Sequence, residues 1–115
     1  MALIRGFRDL DVYVLAREQA KKIFALTKNF PLEERYSLTD QIRRSSRAVN
    51  AMVAEAWARR RYPAAFINKI DEALGEAMET QAWLDHAMDS GATRIVVNIA
   101  LSTKRGRGSV RCLIG

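Results

Sequence analysis

The sequence predicts an all-α fold: an antiparallel four-helix bundle whose fourth helix is atypical or short. Three observations carry this expectation. Apolar residues recur at helical spacing and do not alternate as they would in strands. Of the two prolines, Pro31 and Pro63, each falls at a junction between periodic segments, and glycine is scarce before Gly91. The hydrophobic fraction of 49% with 28% charged residues is that of a globular domain, and 115 residues suffice for a single core.

The first helix is expected over 10–29, with Asp9 as N-cap and an inward stripe of Val12, Ala16, Ile23, Leu26, Thr27 and Phe30. Pro31 forbids simple continuation. The second is expected over 37–60, where Ser37 and Asp40 approximate a capping box. At 100° per residue, Leu38, Ile42, Ser46, Val49, Val53 and Ala56 share one side. Pro63 is placed to open the third helix, expected over 63–90, with Phe66, Ile70, Leu74, Ala77, Leu84 and Met88 inward. Gly91 suits the position just past its end. Three long amphipathic helices cannot hide all their apolar faces, so a fourth is expected over 92–103, followed by an irregular tail over 104–115. The β-branched residues of "ATRIVVNIALS" lower the helical propensity of that fourth segment.

No apolar run reaches the roughly 18 residues needed to span a bilayer. The apolar stretch of "MALIRGFRDL" is too short for a signal peptide. One cysteine, Cys112, allows no internal disulfide, so a cytoplasmic protein without membrane association is expected. The net charge of +6 is unevenly spread. Between Ser37 and Arg61 six arginines stand against Asp40 and Glu55. Between Pro63 and Gly91 only Lys69 opposes six acids, and from Ala92 onward there are five basic residues and no acid.

This charge pattern yields two candidate surfaces. Arg43, Arg44 and Arg47 turn to the outer side of the second helix beside Ala51 and Ala54, small residues that let another backbone approach; alanine is also simply the best helix former. The third helix carries Glu72, Glu76 and Glu79 outward with Trp83 among them, a side chain suited to anchor an interface or to lie over a flanking helix. A basic and an acidic patch that differ make head-to-tail contacts, which close into a ring where the rotation allows, so a cyclic homo-oligomer is expected. At the corner between the second and third helices, Trp57, Arg59, Arg60, Arg61 and Tyr62 combine phosphate-neutralising cations with stacking faces for unpaired bases. The same run also reads as a solvated helix end that complements the helix dipole.

Catalysis is not expected. "RGRGS" contains no phosphate-cradling lysine element and follows no strand signal. His86 is the only histidine, and Asp85, His86 and Asp89 do not have the spacing of a metal site. Cys112 has no placed base to make it a nucleophile. Neither a cofactor nor a metal is called for.

The stretches "FRDLDVYVLARE", "LTDQIRRSSRAVNAMVAEAWAR" and "EALGEAMETQAWLDHAMDSG" together resemble the bacterial four-helix-bundle family encoded in intervening sequences of 23S ribosomal RNA genes. The matching elements fall on Gln41, Ile42, Arg43, Arg44, Ala54, Glu55, Glu79, Thr80, Gln81, Trp83 and Leu84. The resemblance implies an up-down-up-down bundle with no known catalytic activity that assembles into rings, with pentamers expected. A related branch, the accessory protein of diversity-generating retroelements, is a basic ring that works with a reverse transcriptase and its RNA. By that analogy the expected partners are other copies of this chain, RNA, and possible protein partners. The family pattern would continue after Gly91 with a polar, Glu- and Arg-rich helix; here "ATRIVVNIALSTKRGRGSVRCLIG" stands instead.

Overall fold

The protein was analysed as a computed structural model that describes residues 3–92. The described residues form three α-helices and no strand: α1 (Asp11–Thr27), α2 (Asp40–Ala58) and α3 (Pro63–Asp89). The fourth helix expected over 92–103 and the tail over 104–115 lie outside the described residues, apart from Ala92. No described helix is long and apolar enough to cross a membrane.

A short 3-10 turn, Phe7–Asp9, precedes α1. Asp9 belongs to this turn and is not the N-cap. Its carboxylate accepts the Arg5 backbone N–H at 2.8 Å, and Leu10 occupies the cap in extended conformation. The capping box expected at Ser37 is also absent. The chain re-enters helical geometry earlier, through a 3-10 turn at Leu32–Glu34 and a π turn at Arg35–Thr39 that runs straight into α2. Ser37 therefore lies within helical backbone, and its hydroxyl turns back to the Glu34 carboxylate at 3.3 Å. Pro63 does open α3, and Tyr62 before it is extended, as the residue preceding a proline must tend to be. Gly91 closes the helix at φ 80°, a left-handed conformation that a side chain would strain.

Helix α2 is the centre of the molecule, with α1 and α3 each packed along it. Both neighbours run antiparallel to it. Tyr13 meets Asn50 while Thr27 meets Arg43, and Ser45 meets Thr80 while Glu55 meets Lys69. All six residues expected on the inner side of α2 are buried. In α1, Ala16, Ile23, Leu26 and Thr27 are buried as expected, as is Phe30 just beyond its end, while Val12 is exposed and Gln19 takes an inner place.

In α3 the expected stripe is displaced. Ala77 is buried, Phe66, Ile70 and Leu84 are half-buried, but Leu74 and Met88 are 50% and 53% exposed. The face that meets α2 is instead Ala73, Ala77, Thr80 and Ala87. Small residues let two helices approach closely, and Ser45 on α2 offers an equally low surface. At the centre of this seam the Thr80 and Ser45 hydroxyls, both fully buried, are 2.8 Å apart. One apolar cluster, around Ala16, Val49, Val53, Ala73 and Ala77, joins all three helices toward the α2–α3 corner. A second, around Leu26, Phe30, Leu38 and Ala87, closes the opposite end.

Candidate nucleic-acid interface

The α2–α3 corner is built by a helix stop followed directly by a helix start. The Arg59 N–H still reaches back to Ala56 and Glu55, and the Tyr62 N–H bonds the Arg59 carbonyl at 2.9 Å, closing a tight turn. Pro63 then holds the next residues in helical geometry. The turn leaves Arg59, Arg60, Arg61 and Tyr62 exposed, Tyr62 at 68%. Arg60 is fixed: its guanidinium lies 4.4 Å from the centroid of the half-buried Trp57 ring and donates to the Trp57 carbonyl at 3.0 Å. Among the described residues no carboxylate pairs with Arg59, Arg60 or Arg61. The structure thus brings together all five residues expected here.

It adds others that the sequence reading missed. Because α1 is antiparallel to α2, the turn before α1 stands at the same end of the molecule and packs on α2. The Arg8 guanidinium lies 4.5 Å from the centroid of Phe7, and the Phe7 ring meets Tyr13 edge-on at 4.9 Å. An arginine beside an aromatic in "GFRDL" was the available signal, but only the helix directions show which end of the bundle it joins.

The residues expected at a subunit contact are placed differently from one another. The Arg44 guanidinium pairs with Glu79 and lies 3.5 Å from Glu76 Oε2, an ion pair without hydrogen-bond geometry. Glu79 also accepts the Trp83 indole N–H at 3.1 Å. Lys69 lies 2.9 Å from Glu72 and 3.8 Å from Glu55. The basic and acidic patches that look complementary in the sequence therefore neutralise each other, in part, across the α2–α3 seam of a single chain. Trp83 is half-buried against the Leu26, Phe30, Leu38 and Ala87 cluster, with its ring 5.7 Å from that of His86. It lies over flanking helices, the plainer of its two expected roles. Ala51 is exposed and Ala54 half-buried.

Arg43 and Arg47 do not face the acids of α3. They turn toward α1, where their guanidinium carbons lie 4.6 and 5.3 Å from the centroid of Phe24. The Lys28 ammonium approaches the same ring at 4.8 Å. Phe24 itself escaped the sequence reading because it lies off the inward stripe of its helix. Among the described residues, no group of three or more His, Cys, Asp or Glu side chains is arranged to hold a metal ion.

Fold and surface together define a basic helical protein whose central helix ends in arginines that have no carboxylate partner among the described residues. The family model described as 23S rRNA-intervening sequence protein matches residues 8–106, and the chain belongs to that family. The match continues past Gly91 into the segment whose composition departs from the resemblance. Comparisons with the curated proteins and with the solved structures return no match.

Proposed function

We propose that this chain is a non-catalytic RNA-binding protein that grips single-stranded or structured RNA with the end of the bundle formed by the α2–α3 corner. One observation carries the reading: among the described residues Arg59, Arg60 and Arg61 have no carboxylate partner, and they stand between Trp57 and Tyr62 in the chain, with Arg60 over the Trp57 ring. Arginines in this state neutralise phosphates and release counterions on binding. Arg60, already ordered over Trp57, loses less side-chain freedom than an unrestrained arginine would. Tyr62 offers an open ring to an unpaired base.

The test is a salt titration of binding to RNA. Each single-strand phosphate contact contributes roughly 0.7 to the slope of log affinity against log salt, so replacing all three arginines by alanine should lower the slope by about 2. Affinity should fall with it. No measurable RNA binding at low salt, or an unchanged slope in the triple variant, refutes the proposal.

The same end surface is compatible with assembly into a ring, five-membered on the family resemblance, and a second observation favours self-association. Ile67, Leu74 and Met78 are exposed along α3, and Met88 continues the exposed apolar surface toward its end. An exposed apolar strip of this length is suited to burial against another copy. On this reading the chain is an assembly scaffold, and Met78→Glu should lower the mass measured in solution while the helical content is kept. Trp83→Ala should leave the assembly intact, because its indole is used within the chain. A monomeric wild-type protein would refute self-association.

A further inference from the structure

The geometry points to a second anion site, the groove between α1 and α2 floored by Phe24, which takes a phosphate-bearing nucleotide unit. Arg43 and Arg47 from α2 and Lys28 from the C-terminal cap of α1 converge on one phenyl ring, and Arg17 and Lys21 line the adjoining cavity. Five cations gather here, and none of them pairs with a carboxylate among the described residues. A single ring's quadrupole offsets only part of the mutual repulsion of the three cations around it. A bound anion would offset the remainder.

The cations are also held in place. The Arg43 Nε–H donates to the Thr27 hydroxyl at 2.7 Å, and that hydroxyl, itself buried, is bonded to the Phe24 carbonyl at 2.9 Å. This chain fixes the plane of one guanidinium beside the ring. Its terminal nitrogens remain for a planar or tetrahedral anion, the geometry for which guanidinium is suited. Tyr13 and Asn50 close the groove toward the corner end, and the Asn50 amide is oriented by its bond to the Tyr13 carbonyl at 3.2 Å.

The volume and lining select the ligand class. The cavity measures about 420 Å³, at the lower end of the range for small-ligand sites. Two aromatic residues and an amide stand beside three of the cations, Arg17, Lys21 and Arg47. A bare inorganic anion would use the charges alone, whereas a nucleotide unit also fills the groove beside Tyr13 and Asn50. The nucleotide unit comes from an RNA strand or as a free nucleotide, and this site does not depend on RNA binding at the α2–α3 corner.

The test uses the full chain with two probes, a short oligouridylate and ATP, measured by calorimetry, with amide shifts of Ala20 and Asn50 followed by NMR. The combined variant Arg17→Gln, Lys21→Gln, Arg47→Gln alters only exposed side chains, and circular dichroism checks that its helices are kept. Loss of about tenfold or more in affinity for either probe is expected, with the shifts at Ala20 and Asn50 abolished. Loss confined to the oligouridylate assigns the strand as the source; loss for ATP assigns the free nucleotide. The corner variant Arg59→Ala, Arg60→Ala, Arg61→Ala should leave groove shifts in place. Wild-type affinity for both probes in the groove variant overturns the proposal, as does equally tight binding of polyglutamate. If the corner variant loses RNA while the groove variant retains both RNA and ATP, the groove falls and the corner stands; if the groove variant loses either probe while the corner variant retains RNA, the corner falls and the groove stands.

Discussion

Replacing Thr80 by valine tests the packing of α3 directly. Valine matches threonine in shape, so the substitution changes chemistry with little change in volume. The Thr80 side chain is 0% exposed, as is Ser45, and the two hydroxyls are 2.8 Å apart in the α2–α3 seam. Removing one partner forfeits a net contribution of about 1 kcal/mol for a buried hydrogen bond and leaves the other hydroxyl less well satisfied. Ser45 retains a long bond to the Ile42 carbonyl at 3.3 Å, which limits the penalty. The expected loss for Thr80→Val is therefore about 1–2 kcal/mol. In urea, with a slope of roughly 1–2 kcal/mol per molar for a domain of this size, the midpoint should fall by about 1 M. Ser45→Ala should also destabilise. The double variant should lose less than the two single losses combined, because removing both hydroxyls leaves neither without its partner. Losses that add to within about 0.3 kcal/mol would show that the two hydroxyls are uncoupled. That result would refute the Thr80–Ser45 hydrogen bond as a contribution to the α2–α3 contact.

Gln19 is 1% exposed, and its amide Nε2 has no hydrogen-bond partner among the described residues. Gln19→Leu should be neutral or stabilising by up to about 2 kcal/mol, and a thermal melt with a lowered midpoint would contradict this. Arg44 is half exposed where it meets Glu76 and Glu79, so Arg44→Ala should cost no more than about 1 kcal/mol. The difference from wild type should shrink in high salt; a loss that persists in molar salt would place the pair's contribution in packing and not in charge.

Much of the frame was legible before any coordinates. Pro31 and Pro63 marked both turns, and Gly91 marked the end of α3, because backbone constraints are written into single residues. The corner arginines were legible too, since a helix stop followed by Pro63 forces the intervening residues outward. Helix starts were read less well. Ser37 has the chemistry of a cap, but the chain had already entered helical geometry at Leu32, and side-chain chemistry does not reveal where an irregular turn begins. The Phe24 groove was not legible, because it requires α1 and α2 to be set side by side before Lys28, Arg43 and Arg47 meet one ring.

The sequence by itself determined the helical class, the three described helices to within their ends, and the inner side of α2. Leu38, Ile42, Ser46, Val49, Val53 and Ala56 share that side, because a helix enclosed between two neighbours needs a continuous buried stripe and Arg43, Arg44 and Arg47 occupy the opposite side of its first half. Tertiary structure alone decided the azimuth of α3 and the fate of the charges. Periodicity states which residues share a face and leaves open which face meets a neighbour. On α3 the large residues Phe66, Ile67, Ile70, Leu74, Met78, Leu84 and Met88 share one broad side, and the small residues Ala73, Ala77, Thr80 and Ala87 lie beside it, so hydrophobicity alone points to the wrong centre for the contact. Close approach selects it instead, turning Ala73, Ala77 and Thr80 onto α2 and leaving Leu74 and Met88 outside. That rotation brings Glu76 and Glu79 to Arg44 of the same chain, while the antiparallel packing of α1 carries Phe24 to Arg43 and Arg47.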